Sequence, residues 1–161
     1  MRDASAIPSR ELRTRAREGN LVRMSHSDDI TEKYVSLWNE PDPQHRRQLI
    51  RELWTEDGSQ VLEPPQEIIA AANAIGFRSP RLESRGHDQL EERVRTAYDE
   101  FVGSGQYRFR QRHNVSRLDD ILKFGWEMVS ADNDEVVAIG LEVVMLALDG
   151  RIRTDYQFIE Q

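Results

Sequence analysis

The sequence predicts one α+β domain, in which a curved, mainly antiparallel sheet carries three helices from the N-terminal half of the chain. Three observations lead to this fold class. Apolar residues recur at helical spacing through the first half, β-rich alternating runs follow, and the last two runs flank Asp149-Gly150, a dipeptide typical of tight β-hairpins. Because the connections between neighbouring strands are short, a meander with helices on one face is the simplest architecture.

Length and composition restrict the class of protein. A chain of 161 residues fits one domain with one hydrophobic core. The formal net charge of −7 disfavours nucleic acid and anionic membranes as partners. The absence of cysteine excludes disulfides, thiolate metal sites and cysteine nucleophiles. Since no apolar run approaches the roughly 18 residues of a membrane span, and no signal-peptide core is present, we expect a cytoplasmic protein.

Residues 1–27 form an arginine-rich extension to the domain. They contain six arginines among serine, glycine and proline, with hardly any large apolar side chains. Such a segment cannot bury enough surface to order itself, so we expect disorder or a loosely docked helix. Met24 is an alternative natural start. The domain itself is predicted to span residues 28–161.

Two helices are predicted at the start of this domain. The first begins at Ser27 or Asp28, either of which can cap it, and ends near Asn39. Prolines at 41 and 43 prevent its continuation, and Asp42 can cap the second helix. The apolar stripes of the two helices are Ile30, Tyr34, Leu37 and Trp38, followed by Leu49, Ile50, Leu53 and Trp54.

A short strand and a third helix follow. After a turn at residues 56–58, the segment SQVLEPP reads as a strand that two prolines end, with Glu63 at that end. Residues 66–85 are interpreted as a flap or insertion, with helical composition up to Gly76 and a loop after it. The third helix begins at Gly86, has Asp88 in its first turn, and ends at a glycine at 103 or 105.

Three long strands complete the domain. The first places Tyr107, Phe109, Gln111, His113 and Val115 on one face and Arg108, Arg110 and Arg112 on the other. The second alternates Leu122, Phe124, Trp126 and Met128 with polar residues. The third, residues 137–146, is apolar on both faces except for Glu142. A strand of this kind is central, or one of its faces lies in a subunit interface, so a homodimer is expected.

Taken in order, these elements resemble the nuclear transport factor 2-like superfamily, in particular its SnoaL-like proteins, over about residues 28–160. The matching stretches are TEKYVSLWNEPD, LWTEDGSQVLEPP, RGHDQLEERVRTAYDEF, KFGWEM and GLEVVMLALDGRI. The resemblance implies a cone-shaped fold, in which the sheet wraps around a largely apolar pocket. It also implies, frequently, a homodimer formed through the sheet. The superfamily includes ketosteroid isomerases, polyketide cyclases and limonene epoxide hydrolases, so the fold leaves the activity open.

The isomerase members imply three catalytic positions, which are Tyr34 in KYVSLWN, Glu63 in LEPP and Glu142 in GLEVVML. The family acids at these places are aspartates, and the first-strand segment here is longer by one residue. A slip of one residue reverses the face of a strand side chain, which places the assignment of Glu63 in question. The arginine and aspartate pairing of the epoxide hydrolases does not occur in KFGWEM or RTDYQFIE.

If these three residues meet in an apolar pocket, burial would raise the pKa of the carboxyl groups, and one protonated acid could help Tyr34 stabilise an enolate oxygen. The other acid would move the proton. The alternative is structural: Glu142 is hydrogen-bonded inside the sheet, Glu63 ends a strand in solvent, and Tyr34 fills the core.

Other side chains are candidates for contact with a ligand, namely Trp38, His113, Phe124, Trp126 and Tyr156. The preferred interpretation of His113 is a satisfied core residue, and aromatic faces of strands are usually core as well. The arginine face of the first long strand reads as an anion site or, preferably, as a solvated face paired with carboxylates. The four histidines show no metal-ligand spacing, so neither a metal nor a cofactor is implied.

The sequence therefore predicts a protein that binds a small lipophilic molecule, with proton-transfer isomerisation or cyclisation of a carbonyl compound as the expected activity. Two alternatives remain open. One is a ligand carrier or sensor without turnover, and the other is a dimeric interaction module whose pocket its own side chains fill. A structure without a cavity beside Glu142 would favour the module.

Overall fold

The structure is a computed structural model that describes residues 26–160. The predictions for residues 1–25, including the role of Met24, lie outside the described residues. Helix α1 occupies residues 26–39. The other elements are, in chain order, α2 (Pro43–Leu53), β1 (Trp54–Leu62), α3 (Gln66–Ala74), β2 (Leu82–Arg85), α4 (Gly86–Ala97) with a π-helical turn (Tyr98–Val102), β3 (Tyr107–Gln111), β4 (Ser116–Leu118), β5 (Ile121–Ser130), β6 (Val136–Leu146) and β7 (Ile152–Glu160).

The predicted helical hairpin is present. The Asp42 carboxylate accepts a hydrogen bond from the Gln44 amide at 2.9 Å, and Pro43 occupies the first turn of α2. Proline at this position loses no helical hydrogen bond and has the right φ angle, so the cap and the proline together define where α2 starts.

The described strands form one open, curled sheet with the order β2-β1-β7-β6-β5-β3, and β4 pairs with β5. Strands β1 and β7 are parallel, and every other pair is antiparallel. The predicted α+β class, with a mainly antiparallel curved sheet, is confirmed. Strand β6 has a neighbour on each side, so it is a central strand, as one of the two readings of its apolar pattern required.

Two details of the chain path differ from prediction. Strand β1 begins at Trp54, so residues 56–58 lie inside the strand, where its pairing with β7 shifts between Trp54 and Ser59. This irregularity is a β-bulge, whose extra residues include the turn-like segment 56–58. Gly58 is needed there, because a Cβ atom would lie 2.9 Å from the Ile152 carbonyl oxygen. Residues 82–85, predicted as loop, form β2, because pairing with β1 satisfies their backbone groups.

The hydrophobic core lies between the inner face of the sheet and helices α1, α2 and α4. Its largest fully buried apolar side chains include Tyr34, Trp54 and Phe124. Helix α3 buries no side chain against this core. The outer face of β6 and β7 is only half-buried. None of the helices in the described range is long and apolar enough to cross a bilayer.

Candidate functional site

A cavity of about 270 Å³ lies between the inner face of the sheet and helices α1 and α4. Its wall is mainly apolar and includes Trp38, Phe101, Phe109, Met128 and Ile159. Five side chains with N–H or O–H groups line it, which are Tyr34, Trp38, Arg93, Trp126 and Gln157. A cavity of this size and character suits a small lipophilic molecule that is oriented by a few polar groups.

Behind this wall two carboxyl groups are completely buried. Glu142 lies on β6 and Asp155 on β7, and both have 0% exposed surface. Glu142 pairs with Gln157 and Val144 with Asp155, so the two acids are diagonal neighbours on the inner face of the sheet. Glu142 Oε2 and Asp155 Oδ1 have no donor from any other described side chain. Two ionised carboxylates only accept hydrogen bonds, so a hydrogen bond between these two groups would need one shared proton.

The remaining oxygens of the acid pair accept hydrogen bonds from neutral donors. On the Asp155 side, the Tyr34 hydroxyl donates to Oδ2 at 2.7 Å, and Gln60 Nε2 donates to the same oxygen at 3.0 Å. Gln60 also donates to Tyr34 Oη at 2.9 Å. On the Glu142 side, Trp126 Nε1 and Gln157 Nε2 donate to Oε1 at 2.6 and 2.7 Å. Tyr34, Trp126 and Gln157 therefore connect the cavity to the acid pair.

Burial determines the ionisation of this network. It raises the pKa of Glu142 well above the ordinary value of 4.5, and the neighbouring Asp155 charge and hydrogen bond raise it further. Burial also raises the pKa of Asp155, although hydrogen bonds from Glu142, Tyr34 and Gln60 oppose that rise. These effects favour the proton on Glu142 and the negative charge on Asp155. Burial, followed by the Asp155 and Glu142 charges, raises the pKa of Tyr34 well above 10.0, so its hydroxyl stays neutral.

Gly140 on β6 leaves space for the indole of Trp126 on β5, which donates to Glu142. It pairs with Trp126 across the two strands, and a methyl group at position 140 would overlap the indole ring. The indole lies flat against this glycine, which lets its Nε1 reach Glu142. Glycine in a strand interior is usually unfavourable, so its presence here is explained by the close approach of the ring.

Arg93 is the only charged side chain that lines the cavity among residues 26–160. Its guanidinium lies 5.3 Å from the centre of the Trp38 ring and donates to Gln157 Oε1 at 3.3 Å. No carboxylate of a described residue lies within ion-pair distance of it. The polar end of the cavity thus combines one cation with the neutral amide of Gln157.

The predicted residues do not all come together. Tyr34 and Glu142 belong to one network, and Trp38 and Trp126 line the cavity, whereas Glu142 itself is enclosed behind the wall. Phe124 packs edge-on against Tyr34 at 5.1 Å and lies beneath the cavity.

Glu63 and Tyr156 lie elsewhere. Both line a separate groove of about 360 Å³, and Glu63 is exposed. The reason is strand alternation. Gln60 and Leu62 face inward on β1, and the residues between and after them face outward. On β1, glutamine instead of an acid therefore lies beside Tyr34.

His113 also lies away from the cavity. Strand β3 ends at Gln111, and His113 follows in an exposed loop with φ +53°, so the strand alternation that predicted its direction no longer applies. The two arginines of β3 and Arg112 just after it are paired: Arg108 with Asp134, Arg110 with Glu127 at 2.7 Å, and Arg112 with Glu127 and Glu160 at 3.6 Å. That face is a solvated, ion-paired surface.

Sequence reasoning missed Gln60, Arg93, Asp155 and Gln157. A signal for two of them was available. Pairing counted symmetrically outward from Asp149-Gly150 places Gln157 opposite Glu142 and Asp155 one step diagonally from it. Gln60 and Arg93 reach the site through the parallel β1–β7 pairing and through helix packing, which no local pattern encodes.

No protein-family model and no curated protein matches the chain. Solved structures do. The chain is similar to a proposed isomerase of the SnoaL-like family from Agrobacterium tumefaciens strain C58, with 24% identity, a TM-score of 0.67 and coverage of 85% of this chain and 99% of the other. It is also similar to a SnoaL-like protein of unknown function from Burkholderia thailandensis, with 16% identity, a TM-score of 0.58 and coverage of 85% of this chain and 97% of the other.

A proposed polyketide cyclase from Sinorhizobium meliloti is also similar, with 13% identity, a TM-score of 0.52 and coverage of 81% and 94%. At identities this low the likeness establishes the fold and leaves the activity open. The SnoaL-like, nuclear transport factor 2-like fold predicted from the order of the elements is confirmed.

Proposed function

We propose that this protein binds a small lipophilic carbonyl compound in the cavity and catalyses its isomerisation or cyclisation by proton transfer. The observation that carries this proposal is the Tyr34 hydroxyl, which lines the cavity and also donates to Asp155 at 2.7 Å. It is the one O–H group among the described residues that touches both the ligand space and the buried acid pair. Two of the similar structures, a proposed isomerase and a proposed polyketide cyclase, bear names of this chemistry.

The proposed step moves one proton in each direction. Tyr34 Oη takes a proton from the carbon beside the substrate carbonyl while its own proton passes to Asp155 Oδ2, which leaves an enolate. The reverse transfer delivers a proton to another carbon of the substrate and restores Tyr34 and Asp155. The protein gains no net proton, as an isomerisation requires.

The buried surroundings favour this relay over a free tyrosinate. Because burial raises the pKa of Tyr34 well above 10.0, the phenol does not lose its proton to water. Asp155, whose pKa is also raised by burial, is a better proton acceptor than an exposed carboxylate. Glu142 holds the shared proton and keeps the second negative charge out of the pair.

Exchange of deuterium into bicyclic ketones such as 2-tetralone tests the step without knowledge of the natural substrate. Wild-type protein should accelerate exchange at the carbon beside the carbonyl, as followed by NMR in D₂O. Tyr34→Phe should reduce that rate by about 10²- to 10⁴-fold, since it removes the acid–base group. Tyr107→Phe, on β3 and outside the cavity wall, is the matched control and should exchange at the wild-type rate. An unchanged rate for Tyr34→Phe would contradict the mechanism.

A carrier without turnover is the second candidate, and one observation favours it. Both carboxyl groups are enclosed, so neither can touch a ligand directly. Binding of the ketone with no accelerated exchange in the wild type would support the carrier. The presence of a cavity beside the partners of Glu142 argues against a module with a self-filled pocket.

The protein is further proposed to act as a homodimer formed through the outer face of its sheet, because that face of β6 and β7 is apolar and only half-buried.

A further inference from the structure

Arg93 places a positive charge at the cavity, and the proton transfer proposed at Tyr34 does not require this charge. Tyr34, Trp126 and Gln157 are already engaged with the acid pair, because each donates to a buried carboxyl oxygen. Trp38 Nε1 has no partner among the described residues, but it is a single neutral donor. Arg93 carries five N–H donors, and among residues 26–160 only one of them has a hydrogen-bond acceptor, the neutral Gln157 Oε1 at 3.3 Å. Among the described residues, the guanidinium is thus the charged donor of the cavity wall, and most of its N–H groups are available to a ligand.

The buried Asp155 attracts this cation, since the Arg93 charge lowers the pKa of Asp155, but no hydrogen bond joins the two residues. Asp155 accepts from Tyr34 and Gln60 and shares the proton of Glu142, so its oxygens are occupied without Arg93. Nor does a surface carboxylate neutralise it. Glu83, which lines a shallow groove together with Arg93, pairs with Arg81 and Arg85 instead.

The position of Arg93 fits the head group of an amphipathic ligand. Its guanidinium is held over the Trp38 ring at 5.3 Å, which orients the planar group at the edge of the apolar wall. Arg93 is half-buried and lines both the cavity and the adjoining groove, so a ligand oxygen that reaches it can remain partly hydrated. A planar guanidinium binds a carboxylate through two parallel hydrogen bonds, a geometry that a neutral carbonyl cannot reproduce.

We infer that the ligand of this cavity is a lipophilic carboxylic acid, whose apolar body lies against the aromatic wall and whose carboxylate binds Arg93. Combined with the proposed function, the substrate class becomes a small keto acid with a hydrophobic skeleton. The carboxylate orients the skeleton so that its carbonyl end points toward Tyr34.

Matched ligands test the inference. In isothermal titration calorimetry at pH 7.5, 2-naphthoate should bind the wild type about 10- to 100-fold more tightly than 2-naphthamide, its neutral isostere, as expected for a hydrogen-bonded charge pair. Arg93→Gln should remove this preference, chiefly by weakening the binding of naphthoate, and an unchanged circular dichroism spectrum should show that the variant is folded. Arg93→Lys should restore part of the preference, because it keeps the charge and loses the planar fork.

Arg95→Gln is the control on the same helix. Arg95 is exposed and pairs with Asp99 at 3.5 Å, so its removal should leave the preference intact. Equal affinity of the wild type for the two ligands, or an undiminished preference in Arg93→Gln, would overturn the inference while naphthamide binding upholds the lipophilic cavity. If neither ligand binds, the inference falls together with the proposed function on which it rests.

Discussion

At the scale of single residues, the main question is how two adjacent carboxyl groups, Glu142 and Asp155, can both be fully buried. Two carboxylates in contact would repel each other strongly, and burying even one charge costs several kcal/mol unless hydrogen bonds replace its water. Here one proton removes the repulsion, and Tyr34, Gln60 and two further donors satisfy the outer oxygens. The hydroxyl, amide and indole donors therefore lower the free-energy cost of burying the pair, and they also link the pair to the cavity.

Glu142→Gln tests where the proton resides. Since the folded-state pKa of Glu142 lies well above 4.5, the folded protein keeps a proton that the unfolded chain releases. Its stabilising effect is fully present below pH 4.5 and is lost as the pH rises through the folded-state pKa. Glutamine keeps the acceptor for Trp126 and donates to Asp155 without titrating. Relative to this variant, wild-type unfolding free energy should fall by up to about 1.4 kcal/mol per pH unit above pH 4.5.

Urea unfolding of both proteins between pH 4.5 and 8 measures this difference. Glu63→Gln, which removes an exposed carboxylate outside the network, is the matched control. Parallel pH profiles for wild type and Glu142→Gln would mean that the proton lies elsewhere in the pair.

At the scale of elements, one side chain connects α1 to the edge of the sheet. Asn39 donates to the Phe109 carbonyl at 2.9 Å and accepts from the Phe109 amide at 2.8 Å, so it pairs with β3 as another strand would. Phe109 in turn meets the Trp126 ring edge-on at 5.3 Å and lines the cavity. The end of helix α1 thus positions one wall of the ligand site.

Asn39→Ala should destabilise the fold by about 1 to 3 kcal/mol, because it leaves two partly buried backbone groups of β3 without partners. Amide hydrogen exchange should report the loss locally, as faster exchange at Phe109 than at the central strands. Asn73→Ala on the exposed helix α3 is the control and should change stability by less than about 0.5 kcal/mol. Unaltered protection of the Phe109 amide against exchange would show that the Asn39 hydrogen bonds do not stabilise β3.

At the scale of the whole molecule, the outer face of the sheet is the surface that lacks a cover. It presents half-buried or exposed apolar side chains from β6 and β7, which are Leu141, Val143, Met145, Tyr156 and Phe158. Contiguous apolar surface of this kind usually marks an interface between proteins. A second copy of the chain, related by a two-fold axis, would cover it with the same face.

Sedimentation velocity at micromolar concentration should therefore give a species of about twice the chain mass of 18.7 kDa. Phe158→Lys should shift this species toward the monomer, because it places a charge in the centre of the proposed interface. Leu148→Lys changes a fully exposed apolar residue in the hairpin turn and should leave the dimer intact. A wild-type protein that sediments as a monomer would contradict the proposed dimer interface.

The amino-acid sequence alone determined the α+β class, the capped start of α2 at Asp42 and Pro43, and the β6–β7 hairpin at Asp149-Gly150. These features depend on periodicity and turn chemistry within short stretches, which a single sequence displays. It also singled out Glu142, which is a polar group within an apolar pattern, and Tyr34, through the resemblance to the isomerases. Only the tertiary structure decided which groups join them. Asp155 meets Glu142 through strand register, the alternation of β1 in its pairing with β7 places Gln60 inside and Glu63 outside, and helix packing brings Arg93 to the cavity. These are contacts between distant segments, and local sequence carries no record of their register.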